Sequence, residues 1–254
     1  PTWVDLYRTV IDRVFYNGKL QIAVASDYNA AILRFNRTTQ EWEGIDARLG
    51  RLLALKLSEN LEKNISAEFI PIDWDQLLKR CGEADVDVAI ANVSVLPERE
   101  KTCGIRFSTP YLYTRQALVL RVSDDRSVDD LLDATIAVQD KTRSLKTAKQ
   151  FSEHVVTFND ADDALNEFLE LKADAWAADY EIANSLLNNR AIFDQIRIES
   201  VEPDRIAVAV PAKATQLLEF VNSVIRQSRN DGTIQKWAAD DGVKYFDADS
   251  SKEI

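Results

Sequence analysis

The sequence contains few of the residues on which metal centres and hydrolytic sites depend. Its 254 residues include two cysteines, one histidine and seven glycines. Zinc sites usually need about four Cys or His ligands, or three plus water, so almost no material for one is present. His154 would have to be the base of any Cys–His pair or Ser–His–Asp triad, but it heads an apolar run typical of a strand and is interpreted as structural. Since dinucleotide and phosphate-loop glycine motifs are absent too, we expect neither a metal nor a cofactor.

The charge balance excludes further classes of partner. Lys and Arg total 31 against 42 Asp and Glu, which gives a net charge of −11. A non-specific nucleic-acid binder needs a basic stripe, and docking on an anionic membrane needs basic clusters. No window approaches about 18 consecutive apolar residues, so no membrane-spanning helix is predicted. We expect a globular monomer whose partner is a small molecule or another protein, with no nucleic acid.

Alternating helical and strand patterns predict a first α/β unit. Apolar residues at helical spacing predict a helix over residues 5–15, closed by Asn17-Gly18, and another over residues 45–57. Asp73 is expected to be the N-cap of a short helix that contains Trp74. The predicted strands are residues 20–25, 67–72, 86–91 and 116–122. Strands separated by helices favour parallel βαβ packing.

The same alternation predicts a second α/β unit and a helical C-terminal segment. The predicted strands are residues 135–138, 155–158, 173–178 and 205–210, the last of them returning to the first unit. The predicted helices are residues 144–151, 164–169, 182–187 and 217–225, the fourth closed near Asp231-Gly232, and a last one with Ile234 and Trp237. Because no long linker occurs, two lobes joined by strands are expected, with hinges near residues 116–122 and 201–210.

A motif of ordered residues follows the strand at 86–91. It consists of Ser94, Pro97-Glu98-Arg99, Phe107-Ser108 and Pro110-Tyr111. Further matches in order are GKLQIAVASDY, EGIDARLGRLLALKL, IAVQDKTRS, KADAWAADYEIA and NDGTIQKWAADDGVKYF. The chain thus resembles the amino-acid-binding family of bacterial periplasmic solute-binding proteins over nearly its whole length.

The resemblance implies an α/β fold of the type II periplasmic-binding (Venus flytrap) class. In this fold two lobes, each a mainly parallel sheet flanked by helices, are crossed twice by the chain and close around a ligand. Lobe 1 is expected at residues 1–118 and 207–254, and lobe 2 at residues 119–206. Ligands of α/β proteins bind at the carboxyl edge of the sheet, which is where the motif falls.

The resemblance also implies which residues of the first lobe bind the ligand. Arg99 matches the arginine that binds the α-carboxylate of an amino acid, and a bidentate guanidinium suits that group. Ser94 matches a hydroxyl donor in the same loop, and Asn92 matches a position that offers its backbone carbonyl. Tyr28 and Trp74 match two walls around the ligand side chain. Taken alone, Arg99 is more typical of a solvated loop arginine. Ser94 could instead cap a local turn, and Tyr28 and Trp74 could be core packing.

In the second lobe, Asp179 matches the aspartate that binds the ligand's ammonium group. Thr142 and Arg143 lie where the family places donors at the start of a helix, a position that suits a carboxylate. Outside the motif, Asp179 reads as a helix N-cap. Arg143 replaces what is usually a small hydroxyl residue.

Three departures from the family pattern bear on the ligand. Ala25 stands where members that take cationic side chains have an acidic residue. Residues 29–31 replace the common wall of two prolines and Phe. Lys141, beside Arg143, adds positive charge near the expected cleft, and buried cationic donors want an anionic or strongly polar partner. These departures favour an acidic or polar neutral amino acid.

Cys81 and Cys103 flank a short αβ segment. In a periplasmic protein such a pair is expected to form a disulfide, and closing the loop contributes about 3 kcal/mol. Two unpaired thiols are the alternative.

The function expected from the resemblance is extracytoplasmic capture of an amino acid by hinge closure and its delivery to the membrane permease of an ABC uptake transporter. Such a protein is periplasmic or extracellular, free or tethered to the membrane. The alternative is the sensing domain of a membrane receptor or sensor kinase. A dehydratase-type enzyme on the same fold is less favoured and would need a general acid, for which Glu181 is the nearest candidate. No leader pattern is visible at the first residues, which leaves a cytoplasmic protein and a mature or excised fragment open.

Overall fold

The chain folds into two compact units. The computed structural model describes residues 9–26, 29–188 and 190–246. One unit runs to Leu112 and resumes at Ile206–Tyr245, and the other contains Tyr113–Arg205. Within the described ranges, no helix combines the length and the apolar character needed to cross a bilayer. The lobe boundaries and the hinge role given to residues 116–122 and 201–210 stay predictions.

Helices and strands alternate along the described chain. The helices are α1 (Val10–Asn17), α2 (Ile45–Leu61), α3 (Trp74–Gly82), α4 (Pro97–Cys103), α5 (Arg143–Phe151), α6 (Ala161–Leu169), α7 (Tyr180–Leu187), α8 (Thr215–Asn230) and α9 (Thr233–Asp241). The strands are β1 (Lys19–Ala25), β2 (Asn29–Ala30), β3 (Leu33–Asn36), β4 (Glu41–Glu43), β5 (Ser66–Ile72), β6 (Val88–Ala89), β7 (Ile105–Phe107), β8 (Leu112–Arg121), β9 (Thr135–Gln139), β10 (His154–Phe158), β11 (Ala175–Asp179), β12 (Ile196–Ile206) and β13 (Ala209–Pro211).

The sheet of the first unit has the strand order β5-β1-β6-β13-β7. β1 runs parallel to both β5 and β6, as the βαβ pattern predicts, because a helix separates each of these strands from the next. β13 is antiparallel to β6 and β7 and belongs to the returning segment, so the sheet is mixed. The run from Leu20 to Ala25 is almost wholly buried and forms the centre of the core.

The sheet of the second unit has the order β10-β9-β11-β8-β12. β9 is parallel to β10 and β11, while β8 is antiparallel to β11, with Gln116 opposite Asp179. The strand predicted at residues 116–122 is thus β8, and the parallel packing expected for it is wrong. β8 and β11 are distant in sequence, with β9, α5, β10 and α6 between them, so the local helix–strand alternation does not determine their relative direction. The second core contains Leu118, Leu120, Ile136, Val138, Ala175 and Ala177.

Element ends differ from the predictions at several places, and the strand predicted at residues 205–210 is divided between the end of β12 and the start of β13. The first helix begins at Val10, because the Thr9 hydroxyl caps it by accepting from the Asp12 N–H at 3.1 Å; residues 5–8 lie outside the described residues. Asp73 occupies the N-cap position of α3, but its carboxylate accepts from Ser26 Oγ at 2.8 Å instead of capping the helix. The strand predicted at residues 86–91 is shorter as β6.

Candidate functional site

Three parallel strands bring the predicted site residues of the first unit to one sheet edge. Ala25 at the end of β1 pairs with Ile72 at the end of β5, so Ser26 and Asp73 follow at the same level. Trp74 begins α3 directly afterwards. The loop after β6, residues 90–96, leaves the sheet at this edge and leads into α4. The carboxyl edge therefore carries the loop and the aromatic residue that the motif predicted.

The loop after β6 is held from below by a buried carboxyl group. Asn92 has a left-handed backbone, with φ of 50°, and its N–H donates to Asp46 Oδ2 at 2.7 Å. The other Asp46 oxygen accepts from the Tyr111 hydroxyl at 2.5 Å. Burial raises the pKa of Asp46 to about 7, although both hydrogen bonds lower it. Asp46 was not predicted as a site residue, because an acidic residue in the first turn of a helix is common and the EGIDARLG match gives it no particular role.

Ser94 and Arg99 lie close together in this loop. Ser94 forms an isolated bridge with Ile206 of the returning strand. The Arg99 side chain donates from Nη1 to the Ser94 carbonyl at 3.0 Å, and its guanidinium lies 5.6 Å from the centre of the Trp74 ring. Arg99 is buried, with 8% of its surface exposed. A guanidinium presents five N–H donors in a planar fork that matches a carboxylate, so Arg99 is a candidate for holding one. Tyr28 lies outside the described residues.

In the second unit, Asp179 stands at the end of β11 and at the N-cap position of α7. Its side chain does not cap the helix. Instead, Gln116 Nε2 donates to Asp179 Oδ1 and to Asp204 Oδ2, each at 2.8 Å, and Ser144 Oγ donates to Gln116 Oε1 at 2.7 Å. Gln116 thereby joins two carboxyl groups. Gln116 and Asp204 were not predicted, because contacts across strands leave no local sequence signal.

Thr142 and Arg143 both contact groups of their own unit. Thr142 caps α5: its hydroxyl accepts from the Leu145 N–H at 3.2 Å and donates to the Gln139 carbonyl at 2.8 Å. The Arg143 guanidinium lies 3.3 Å from Glu202 Oε2 and 3.5 Å from Asp204 Oδ1. Two carboxylates therefore compensate its charge. An acidic ligand was favoured because Arg143 was expected to add positive charge near the cleft. The two carboxylates reduce that contribution.

The expected disulfide is absent from the structure, where Cys81 and Cys103 are free thiols. Cys81 Sγ is buried and directed to the Ala209 carbonyl oxygen at 3.5 Å, and Cys103 Sγ lies 3.7 Å from Thr102 Oγ1.

Glu181 and His154 are the two residues that an enzymatic role would have to use, as general acid and as base. Glu181 is buried, with 1% of its surface exposed, in the first turn of α7. His154 is exposed at the start of β10. Across the residues described here, no three His, Cys, Asp or Glu side chains are grouped so that they could hold a metal ion.

Two α/β units, each with a mixed sheet flanked by helices, have the architecture of the two-lobe solute-binding proteins. The chain belongs to the bacterial extracellular solute-binding proteins, family 3, whose family model matches residues 20–240. The resemblance drawn from the motifs is confirmed.

Named relatives and solved structures agree with this assignment. The L-cystine-binding protein TcyJ of Escherichia coli (strain K12) is 26% identical over 218 residues, which cover 83% of this chain and 79% of the relative. The holo structure of ArgBP from T. maritima has 26% identity and a TM-score of 0.73, covering 89% of this chain and 98% of that chain. The ancestral amino acid-binding protein AncCDT-1, a precursor of cyclohexadienyl dehydratase, has a TM-score of 0.77 at 24% identity, covering 91% and 98%. These likenesses confirm the predicted two-lobe α/β fold class.

Proposed function

We propose that this protein captures an amino acid outside the cytoplasm by closing its two units on it, and delivers the amino acid to an ABC uptake transporter. The observation that carries the proposal is Arg99, a buried guanidinium beside Trp74 at the carboxyl edge of the parallel strands β1, β5 and β6. The family and the cystine- and arginine-binding relatives support an amino acid as the ligand. They also support a binding protein in preference to an enzyme.

The two ends of a zwitterion suit the two units. Arg99 holds the α-carboxylate by paired N–H donors, with the Ser94 hydroxyl as a further donor. Asp179 binds the ammonium group. Its position at a strand end, fixed by Gln116, keeps the carboxylate from turning back to cap α7. In this proposal residues 116–122 and 201–210 act as the hinge strands between residues 119–206 and the remainder of the chain.

Within the two ligand classes that the sequence favours, we propose a polar neutral side chain over an acidic one. Arg143 is compensated by Glu202 and Asp204, so it does not supply the unpaired positive charge that an acidic side chain requires. Ala25, fully buried at the end of β1, offers no anion for a cationic side chain. A neutral side chain with hydrogen-bonding groups leaves no charge uncompensated.

A thermal-shift screen tests the function. The twenty amino acids, cystine and common dicarboxylates are added singly, and hits are confirmed by calorimetry. A ligand at about 100 times its Kd stabilises the folded protein by about 2.7 kcal/mol, so binders raise the melting temperature by several degrees. We expect the largest shifts with polar neutral amino acids. If no amino acid shifts the melting temperature or gives heat of binding, the proposed function is wrong.

A further inference from the structure

Asn92 combines two unfavourable features in the loop after β6. Its backbone is left-handed, with φ of 50°. Its side chain is buried, with 2% of the residue exposed, and neither Oδ1 nor Nδ2 has a hydrogen-bond partner. Among the described residues, no side chain and no backbone group forms a hydrogen bond with either atom. A buried polar atom that makes no hydrogen bond costs stability, and a carboxamide contributes two such atoms.

Glycine would remove both costs at this position. It adopts positive φ without strain and carries no carboxamide. The bond from the Asn92 N–H to Asp46 belongs to the backbone and does not need the side chain. The local fold is therefore satisfied by the backbone alone, and the buried amide contributes nothing to it. Such a costly feature at a strand end is expected where a ligand supplies the missing partners.

We infer that the Asn92 carboxamide hydrogen-bonds the polar side chain of the bound amino acid and thereby determines specificity. The inference rests on the proposed function. Arg99 supplies only donors and Asp179, as a carboxylate, only acceptors, so they suit the charged ends of a zwitterion. A carboxamide presents a neutral donor and a neutral acceptor together. It complements a hydroxyl or amide side chain and leaves its own atoms unpaired against an apolar one.

The test is Asn92→Gly, studied by calorimetry with amino acids of similar shape that differ in polarity. Threonine and valine form one pair, and asparagine and leucine another. In the wild type the polar member of a pair that binds is favoured by about tenfold or more. We expect Asn92→Gly to weaken the polar member about tenfold and to change the apolar member by less than about threefold. The melting temperature of the free variant is expected to stay equal or to rise.

Glu62→Gly is the matched control. Glu62 also has φ of 50°, at the exposed C-terminal end of α2. It should change stability slightly and affinity for neither member of a pair. Asn92→Asp, which loses the N–H donors, keeps acceptor oxygens and tolerates a left-handed backbone, is a second variant if the glycine variant does not fold, and it should weaken asparagine, which needs a donor, more than threonine, whose hydroxyl can donate.

The outcomes separate the inference from the proposed function. If the wild type binds no amino acid, the proposed function fails and takes the inference with it. If the wild type binds but Asn92→Gly keeps the polar preference, a bound water or the fold pairs the carboxamide and the inference is wrong. An equal loss for both members would also overturn it, because the carboxamide would then contact a group that all amino acids share.

Discussion

Asp46 is a fully buried carboxyl group, and its burial makes the free energy of unfolding depend on pH. Burial raises its pKa to about 7, compared with about 3.9 in an unfolded chain. The folded state therefore binds the proton more tightly, and the stabilisation is complete below about pH 4 and is lost as pH rises through about 7. We predict that the free energy of unfolding falls between pH 5 and pH 8, with at most about 4 kcal/mol coming from Asp46 over its whole range.

Urea unfolding at fixed ionic strength, on the wild type and on Asp46→Asn, measures this dependence. The asparagine keeps a partner for the Asn92 N–H and does not ionise, so the slope should be markedly smaller. It should not vanish, since burial also raises the pKa of Asp87. An unchanged slope in Asp46→Asn would show that other groups cause the pH dependence.

Substitution of Arg99 tests its proposed contact with the ligand's α-carboxylate. Arg99→Ala removes the donors proposed for the α-carboxylate and should weaken amino-acid binding about 100-fold or more in calorimetry. The melting curve should change little, because the variant also removes a buried charged group that is costly to desolvate, so the loss of affinity should not reflect unfolding. Arg99→Lys should not restore affinity, since an ammonium cannot make the paired contact.

Arg106→Ala, an exposed arginine on β7 of the same unit, is the control and should bind as the wild type does. Unchanged affinity in Arg99→Ala would remove Arg99 from the site.

The residues that could be predicted are those in a local motif. The motif after β6 places Ser94 and Arg99, and the helix start places Trp74, because each follows a strand whose direction is readable. Asp46 and Gln116 could not be predicted, because their importance comes from burial and from partners distant in sequence. For Arg143 the sequence indicates a charge but not the carboxylates of β12 that compensate it.

The ends of helices α3 and α4 are in close backbone contact. A Cβ on Gly82 would lie 1.7 Å from the Cys103 carbonyl oxygen, so the ends of the two helices touch through their backbones. Gly82→Ala should destabilise the protein by about 2 to 3 kcal/mol in urea unfolding. It should also weaken ligand binding, because α3 carries Trp74 and α4 carries Arg99.

Glu83→Ala, at the next and exposed position, is the control and should stay within about 0.5 kcal/mol of the wild type. If both variants have equal stability, α4 moves away from α3 at little cost, and the helix pair does not position Arg99.

Elements were predictable where periodicity is strong. β1, β5 and the amphipathic helices α2 and α8 lie where the apolar spacing indicates. β12 was not predicted before its last residues, because Glu199, Glu202 and Asp204 break the apolar alternation and Pro203 is rare inside strands. Strand orientation was the weaker part of the prediction: β8 pairs antiparallel with β11, a strand distant in sequence, and apolar spacing carries no information on that direction.

For the molecule as a whole, net charge and length restrict the classes of partner that it can bind. A net charge of −11 argues against nucleic acid and anionic membranes, and 254 residues are enough for two lobes. Neither number indicates a ligand. The family fixes the class of protein.

The last prediction concerns the coupling of the two units through one ligand. If Asp179 binds the ammonium group while Arg99 binds the carboxylate, Asp179→Asn should weaken an amino acid about 10- to 100-fold and leave its deaminated analogue nearly unchanged. The carboxamide of this variant would retain an oxygen for Gln116, so the fold should persist. Small-angle scattering should show a smaller radius of gyration on adding the amino acid to the wild type. Equal losses for the amino acid and the deaminated acid would mean that Asp179 only supports α7, and an unchanged radius would contradict closure.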